Sequence, residues 1–134
     1  MTSAENRCST TPLAGKLGIK AGSRVALLNA PADVAGQLDH APLHTRLRGS
    51  FDVIVAFSDS QATLVRRLDR MIDALEPRGG LWIAWPKKAS GVATDLDDRS
   101  VRDLVLVSGL VDNKVCAVDA AWSALRFVRR LAPR

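Results

Sequence analysis

The side chains best suited to chemistry in this sequence lie in a short lysine-rich segment. Lys87 and Lys88 are adjacent, and Ser90 and Gly91 follow shortly after them. Two ammonium groups, a hydroxyl and loop amides are groups that bind a phosphate or a carboxylate. The spacing differs from that of a P-loop, so the segment predicts an anion site without identifying the anion. We refer to residues 87–91 as the lysine loop.

The residues that follow the lysine loop could strengthen this site or oppose it. Thr94 and Asp95 form a helix-start signal, and the N-terminus of a helix attracts negative charge. Thr94 is therefore included in the predicted site. The carboxylates of Asp95, Asp97 and Asp98 would repel an anion. The other interpretation is an ordinary charged loop in which a lysine pairs with one of these aspartates.

Three apolar segments must position this loop. They are residues 24–29, 51–57 and 81–85, with the sequences RVALLN, FDVIVAF and LWIAW. Nearly continuous apolar runs are typical of parallel strands covered on both faces by helices. Parallel strands end at a common edge, where open α/β folds bind ligands. Asn29 and Ser58, at the ends of the first two strands, are therefore predicted to join the lysine loop in one ligand-binding site.

Two tryptophans in the third strand are predicted to face opposite sides of the sheet, because successive side chains alternate. Trp82 is assigned to the core. Trp85, at the end of the strand, could flank the ring of a ligand and is included in the predicted site. Packing in the core or at its rim is the other interpretation of Trp85.

Helix signals separate the three strands. Short helices are predicted to end at Gly18 and at about Leu38. Ser58 followed three residues later by Gln61 has the form of a capping box. The apolar stripe after it predicts a longer helix, which ends before Pro77.

The rest of the chain predicts one helix and two strands, with at most a short edge strand at residues 44–47. The helix runs from Thr94 to about Ser108, and residues 114–118 and 124–128 are strands. The connection between these strands is too short for a parallel crossover, so they are predicted to form an antiparallel hairpin.

These elements predict an α/β fold, a three-layer Rossmann-like sandwich. Its mixed sheet has three central parallel strands and a C-terminal antiparallel hairpin. Residues 11–134 are predicted to form a single domain, and residues 1–10, which are polar and aperiodic, a disordered tail.

Composition supports a globular protein: the chain has 134 residues, of which 47% are hydrophobic and 25% charged. No apolar run approaches the roughly 20 residues of a membrane helix, and the N-terminus lacks the apolar region of a signal peptide. We therefore expect no membrane association and a cytoplasmic location. Cys8 and Cys116 suggest neither a disulfide framework nor a metal set.

The net charge of +5 permits binding to anions, but most basic residues are dispersed along the sequence. The chain has no tyrosine and six Trp or Phe residues in all, which disfavours an aromatic platform for single-stranded nucleic acid. We therefore do not expect nucleic acid to be the partner.

Metal-binding and catalytic patterns are weak. His40 and His44 have the i, i+4 spacing of helical zinc ligands, but Pro42 lies between them and no third ligand is nearby. Solvated histidines are the favoured interpretation, and no metal site is predicted. No serine or cysteine has a histidine suggested as its base, so no catalytic residue is predicted.

Two resemblances arise at the strand segments. Residues 17–28 (LGIKAGSRVALL) resemble the lead-in to the first strand of class I SAM-dependent methyltransferases, and residues 51–55 (FDVIV) resemble their fourth strand. Residues 75–83 (LEPRGGLWI) resemble the L-x-P-x-G-G approach to their fifth strand. The terminal antiparallel pair also matches their sheet. This resemblance covers much of residues 17–86 and implies the family's fold.

The sequence departs from that family where the cofactor would bind. The family has a glycine-rich loop after the first strand, whereas this chain has residues 29–33 (NAPAD). The interval between Pro31 and Phe51 is short for the family's second and third strands with their helix. No strand ending in an acid for the ribose is predicted there.

The second resemblance covers residues 11–130. The segments WPKKASGVATDL (residues 85–96) and GLVDNKVCAVDAAWSALRFVRR (residues 109–130) resemble a family of short bacterial proteins of unknown function. This resemblance implies a shared fold and supplies no activity.

These observations favour a non-catalytic or degenerate module that binds a small anionic or nucleotide-like ligand, or a protein partner, at the Asn29, Ser58 and Lys87 edge. The first alternative is a minimal SAM-dependent methyltransferase-like enzyme, and the second is a nucleic-acid-binding protein. The sequence leaves the cofactor, if any, unknown.

Overall fold

The computed structural model describes residues 13–20, 22–38 and 43–130, and six strands in these ranges form one mixed sheet. The strands are β1 (Val25–Leu28), β2 (Leu43–His44), β3 (Phe51–Phe57), β4 (Leu75–Pro86), β5 (Leu110–Ala117) and β6 (Trp122–Arg129). The helices are α1 (Leu13–Lys16), α2 (Ala32–Gln37), α3 (Gln61–Asp73) and α4 (Asp98–Leu106), with a 3₁₀ turn at Lys88–Ser90. The predicted N-terminal tail, Cys8, His40 and Pro42 lie outside the described residues.

The strand order across the sheet is β2-β1-β3-β4-β6-β5. Strands β2, β1, β3 and β4 are parallel, whereas β6 is antiparallel to both β4 and β5. The predicted parallel centre and C-terminal hairpin are therefore confirmed. Among the described residues, no helix has the length and apolar character needed to cross a membrane.

Helices cover both faces of the sheet and complete the predicted three layers. Apolar residues of α1 and α2 pack on one face, and those of α3 and α4 pack on the other. Trp82 belongs to the first face, where its indole N–H donates a hydrogen bond to the carbonyl of Leu17 at 3.0 Å. Trp85 belongs to the second face, so the predicted alternation is confirmed.

Strand β4 begins earlier than the sequence predicts, because the long helix α3 ends at Asp73 rather than at Pro77. Leu75 already pairs with Phe51, whose amide donates to the carbonyl of Ala74 at 2.7 Å. Tertiary pairing thus ends the helix, and Pro77 lies inside a strand, which the local sequence pattern did not reveal.

The helix N-caps also differ from the sequence predictions. Ser60, not Ser58, caps α3 by accepting a hydrogen bond from the amide of Thr63. Asp97 caps α4, and its carboxylate accepts a hydrogen bond from the amide of Ser100 at 2.7 Å. This backbone hydrogen bond is the main reason that the pKa of Asp97 lies below its ordinary value. The helix predicted to start at Thr94 therefore begins later.

An unusually short connection joins β2 to β3. The two strands lie on opposite sides of β1, and only residues 45–50 connect them, whereas parallel crossovers normally take about a dozen residues and a helix. The predicted edge strand at residues 44–47 is thus limited to Leu43 and His44, because the chain turns away to cross β1. We call residues 45–50 the crossover loop.

Candidate functional site

The carboxyl ends of β1, β3 and β4 lie at one edge of the sheet, as predicted. Leu28 pairs with Ala56, and the amide of Ser58 donates to the carbonyl of Ala84 at 3.0 Å, which aligns these strand ends. Asn29 directly follows β1 with a φ of 58°, in the left-handed region. The edge carries two adjoining concave sites.

The smaller site, which we call the edge pocket, has a volume of 190 Å³. Phe57 and Trp122 supply its aromatic surface, with ring centroids 5.1 Å apart and planes at 78°. Polar groups come from Asn29 and from the segment after β3, where Ser58 is buried and Asp59 is exposed. The hydroxyl of Ser58 donates to the carbonyl of Ser60. Thr63 completes the lining.

The hairpin between β5 and β6 fixes one wall of the edge pocket. The carboxylate of Asp119 accepts hydrogen bonds from the amides of Ala121 and Trp122, at 2.8 and 2.9 Å. The ammonium group of Lys87 donates to the carbonyl of Asp119 at 2.8 Å, and its amide donates to Ala121. Lys87 therefore lies at the predicted edge but faces the hairpin turn that holds Trp122.

The larger site, which we call the arginine cleft, has a volume of 590 Å³. Its base is formed by Leu28 and Asn29 at the end of β1, one wall by the crossover loop and the other by α3. Asn29 and Thr63 line both the cleft and the edge pocket. The remaining lining residues are Thr45, Arg46, Leu47, Arg48, Arg66, Arg67 and Arg70.

Most of the lysine loop and its neighbours form a separate structure. Lys88 is exposed in the 3₁₀ turn, Ser90 donates from its hydroxyl to the carbonyl of Lys87, and Gly91 ends the turn with a φ of 76°. Neither the edge pocket nor the arginine cleft is lined by these residues. Their role in binding an anion stays a prediction.

Two other predicted site residues line neither the edge pocket nor the arginine cleft. Trp85 is buried among the apolar residues beneath α3 and α4. Thr94 donates from its hydroxyl to the carbonyl of Asp59 at 2.7 Å, and Asp95 accepts from the amide of Gln61 at 2.8 Å. The segment after the lysine loop therefore holds the β3–α3 turn in place, rather than starting a helix.

The sequence interpretation missed the arginine cleft, because its basic residues come from two distant segments. Arg66, Arg67 and Arg70 are surface residues of α3, and the crossover loop brings Arg46 and Arg48 opposite them. The i, i+1, i+4 spacing of the three helix arginines was the available sign of a basic helix surface. This spacing could not reveal which distant segment faces that surface.

Metal-binding side chains do not cluster in the described part of the chain. Among the described residues, no group of three or more His, Cys, Asp or Glu side chains lies close enough to hold a metal ion. His44, at the end of β2, packs its ring against Phe51 with centroids 5.4 Å apart.

Comparison with known proteins relates the fold to methyltransferases. No protein-family model and no curated protein matches the chain. Among solved structures, the chain is similar to the ribosomal protein L11 methylase from Lactobacillus delbrueckii subsp. bulgaricus, with a TM-score of 0.60 at 10% identity. The match covers 98% of this chain and 81% of the methylase.

Magnesium protoporphyrin IX methyltransferase from Synechocystis PCC 6803, with bound SAH, gives the same TM-score of 0.60 at 10% identity. That match covers 97% of this chain and 89% of the methyltransferase. LepI in complex with SAM matches with a TM-score of 0.53 at 12% identity and covers 94% of this chain. The chain spans only 40% of the length of LepI.

These similarities establish the fold. The chain has a Rossmann-like α/β fold similar to that of these methyltransferases. At 10 to 12% identity they say nothing further about this chain's own ligand or reaction. The sheet agrees with the resemblance noted for residues 17–86, including the terminal antiparallel pair.

Proposed function

We propose that this chain binds a small nucleotide-like ligand at the carboxyl edge of β1 and β3, with the nucleoside in the edge pocket. The observation that carries the proposal is the continuity of two concave sites through Asn29 and Thr63. Ligands of open α/β sheets bind at this edge of the strands. The solved structures of similar fold that contain SAM or SAH support a ligand of this class.

The lining of the edge pocket suits a nucleoside. The partly exposed ring of Trp122, supported from behind by the buried Phe57, can pack against a base. The exposed Asp59 can accept hydrogen bonds from amino or hydroxyl groups. At 190 Å³ the pocket is smaller than the roughly 300–1,000 Å³ of a typical small-molecule site. The ligand therefore extends beyond the pocket, and the adjoining cleft is the available space.

SAM-dependent methyl transfer is the second candidate function, and the fold similarity favours it. The chain's own residues make it the weaker candidate. The crossover loop after β2 contains no carboxylate that could bind a ribose, and Arg46 stands near its start. SAM carries a sulfonium cation, which the five guanidinium groups of the arginine cleft would repel. SAH lacks that charge.

Isothermal titration calorimetry with SAM, SAH and ATP tests the proposal. We expect ATP to bind most tightly and SAH to bind more tightly than SAM. Asp59→Asn removes a charged acceptor and should weaken all three by about tenfold, in line with the loss of one hydrogen bond to a charged group. Asp98→Asn, an exposed change at the start of α4, is the matched control and should leave binding unchanged.

Two results would contradict the proposal. One is the absence of binding by all three compounds at millimolar concentration. The other is binding that Asp59→Asn and Asp98→Asn affect equally. Micromolar binding of SAM and SAH without binding of ATP would instead support the methyltransferase candidate.

A further inference from the structure

We propose that the arginine cleft binds the phosphate chain of a nucleoside di- or triphosphate. This deepens the proposed function, because it names the chemical class of the ligand part that lies outside the edge pocket. Five arginines line the cleft, and its lining contains no aspartate or glutamate. The lining arginines are Arg46, Arg48, Arg66, Arg67 and Arg70.

The guanidinium groups of this cluster form no ion pair within the described part of the chain, although Asp69 and Asp73 lie on α3. The ion pair found there joins Arg102 to Asp112, at a different position in the fold, and no hydrogen bond from the five guanidinium groups to a described residue is present. Arg66 and Arg70 have i, i+4 spacing, so their side chains are neighbours on the helix surface. A bound polyanion could accept hydrogen bonds from both guanidinium groups.

The crossover loop is held in position independently of any ligand. The guanidinium group of Arg24 donates to the carbonyls of Ser50, at 2.8 Å, and Arg48, and it lies 4.7 Å from the ring centroid of Phe51. Leu47 packs against the core beneath α3. The wall that carries Arg46 and Arg48 is therefore fixed before an anion arrives, which lowers the entropic cost of binding.

Phosphate is the anion that this set of donors fits best. A guanidinium group donates two parallel hydrogen bonds to a phosphate, and several of them together suit a chain of phosphates better than a single carboxylate. Thr45 and Thr63 add hydroxyl groups, and Asn29 adds an amide at the junction with the edge pocket. A nucleotide could therefore span both sites.

The shape of the cleft favours a small molecule over a nucleic acid. Its 590 Å³ lies within the range of small-molecule sites, and its arginines converge from two walls on one concavity. A nucleic-acid backbone would instead require a charged track along the surface.

The test is calorimetric titration of the full chain with inorganic triphosphate, which has no nucleoside. The cleft variant is Arg67→Gln with Arg70→Gln, and the matched control is Arg99→Gln with Arg130→Gln, at exposed positions outside the cleft. Both pairs lower the net charge equally. We expect triphosphate binding to weaken at least about tenfold in the cleft variant and less than about twofold in the control. Thermal melting checks that both variants remain folded.

Three results would overturn the inference: no triphosphate binding at millimolar concentration, equal losses in both variants, or binding of a single-stranded oligonucleotide through these arginines that triphosphate does not displace. The outcome is separable from that of the proposed function. If a nucleoside binds in a manner that depends on Asp59 but triphosphate does not bind, the arginine cleft is not a phosphate site, while the proposed nucleoside site in the edge pocket stands. If triphosphate binds but no nucleoside is recognised, the proposed nucleoside site in the edge pocket is wrong, while the arginine cleft remains a polyphosphate site.

Discussion

Asn29 lies where the two concave sites meet. It follows β1 directly, lines both sites and has a φ of 58°, a conformation that asparagine tolerates better than most residues with a side chain. The left-handed asparagine turns the backbone at the end of β1 and adds a side-chain amide to both sites.

Substitutions of Asn29 can separate its backbone role from its side-chain role. Asn29→Gly keeps the left-handed turn without strain, so we expect unchanged stability but weaker binding of ATP, by several-fold. Asn29→Ala also removes the amide but should lower the free energy of unfolding by about 1 kcal/mol, because alanine is disfavoured at positive φ. Urea unfolding and calorimetry of both variants provide the measurement. Equal stability of the two variants would contradict this account of the turn.

At the residue scale, the sequence predicted strand-end positions better than side-chain partners. Asn29 and Ser58 were identified because they follow apolar strands, and both line the edge pocket. Lys87 follows a strand too, but its ammonium group is satisfied by the carbonyl of Asp119, far away in the sequence. Local pattern places a residue at an edge, whereas the distant hairpin determines which way its side chain turns.

Among the secondary-structure elements, β4 departs most from its sequence prediction, and its two glycines explain how it fits. A Cβ at Gly79 would lie 2.9 Å from the carbonyl oxygen of Asp52. This close approach accompanies the register shift between Phe51 and Val53. A Cβ at Gly80 would lie 2.4 Å from the Nε atom of Arg126, whose guanidinium pKa is lowered by burial.

Alanine substitutions should distinguish these two glycines. Gly79→Ala must displace backbone and should lower the free energy of unfolding by about 1–3 kcal/mol, the usual cost of overpacking. The three atoms nearest to a Cβ at Gly80 all belong to the flexible end of Arg126, which can move away, so the cost of Gly80→Ala should be clearly smaller. Urea denaturation of the two variants measures the difference. A larger loss for Gly80→Ala would show that Arg126 is held more firmly than its contacts suggest.

The crossover loop is the element that creates the arginine cleft. A helical crossover between β2 and β3 would cover the end of β1 on the α3 side, where residues 45–48 now leave a concavity. The sequence showed that the interval before Phe51 is short. The sequence did not show that the chain crosses β1 within this interval. Strand β2 contains only two residues, which is too few to give a recognisable strand pattern.

For the molecule as a whole, the layer order was predictable and the charge distribution was not. The apolar periodicity that marks strands and helices is a local property of the sequence, and the short connection between β5 and β6 requires an antiparallel pair. The order of strands and helices therefore predicts the layered fold. Surface charge depends on which distant segments meet. Some basic residues that are distant in the sequence come together at the arginine cleft and at a second cleft of 330 Å³ near the amino ends of the parallel strands. The second cleft includes Lys16, Lys20, Arg78, Lys114 and Arg126.

The most direct test of the central claim is to map ATP binding on the full chain by amide chemical-shift changes in NMR spectra. We expect the largest shifts at Asn29, in the crossover loop and in residues 58–63, the segments that line the arginine cleft and the edge pocket. The lysine loop and the second basic cleft should show small shifts. Shifts concentrated at either of those two places, with Asn29 and residues 58–63 unchanged, would contradict the account.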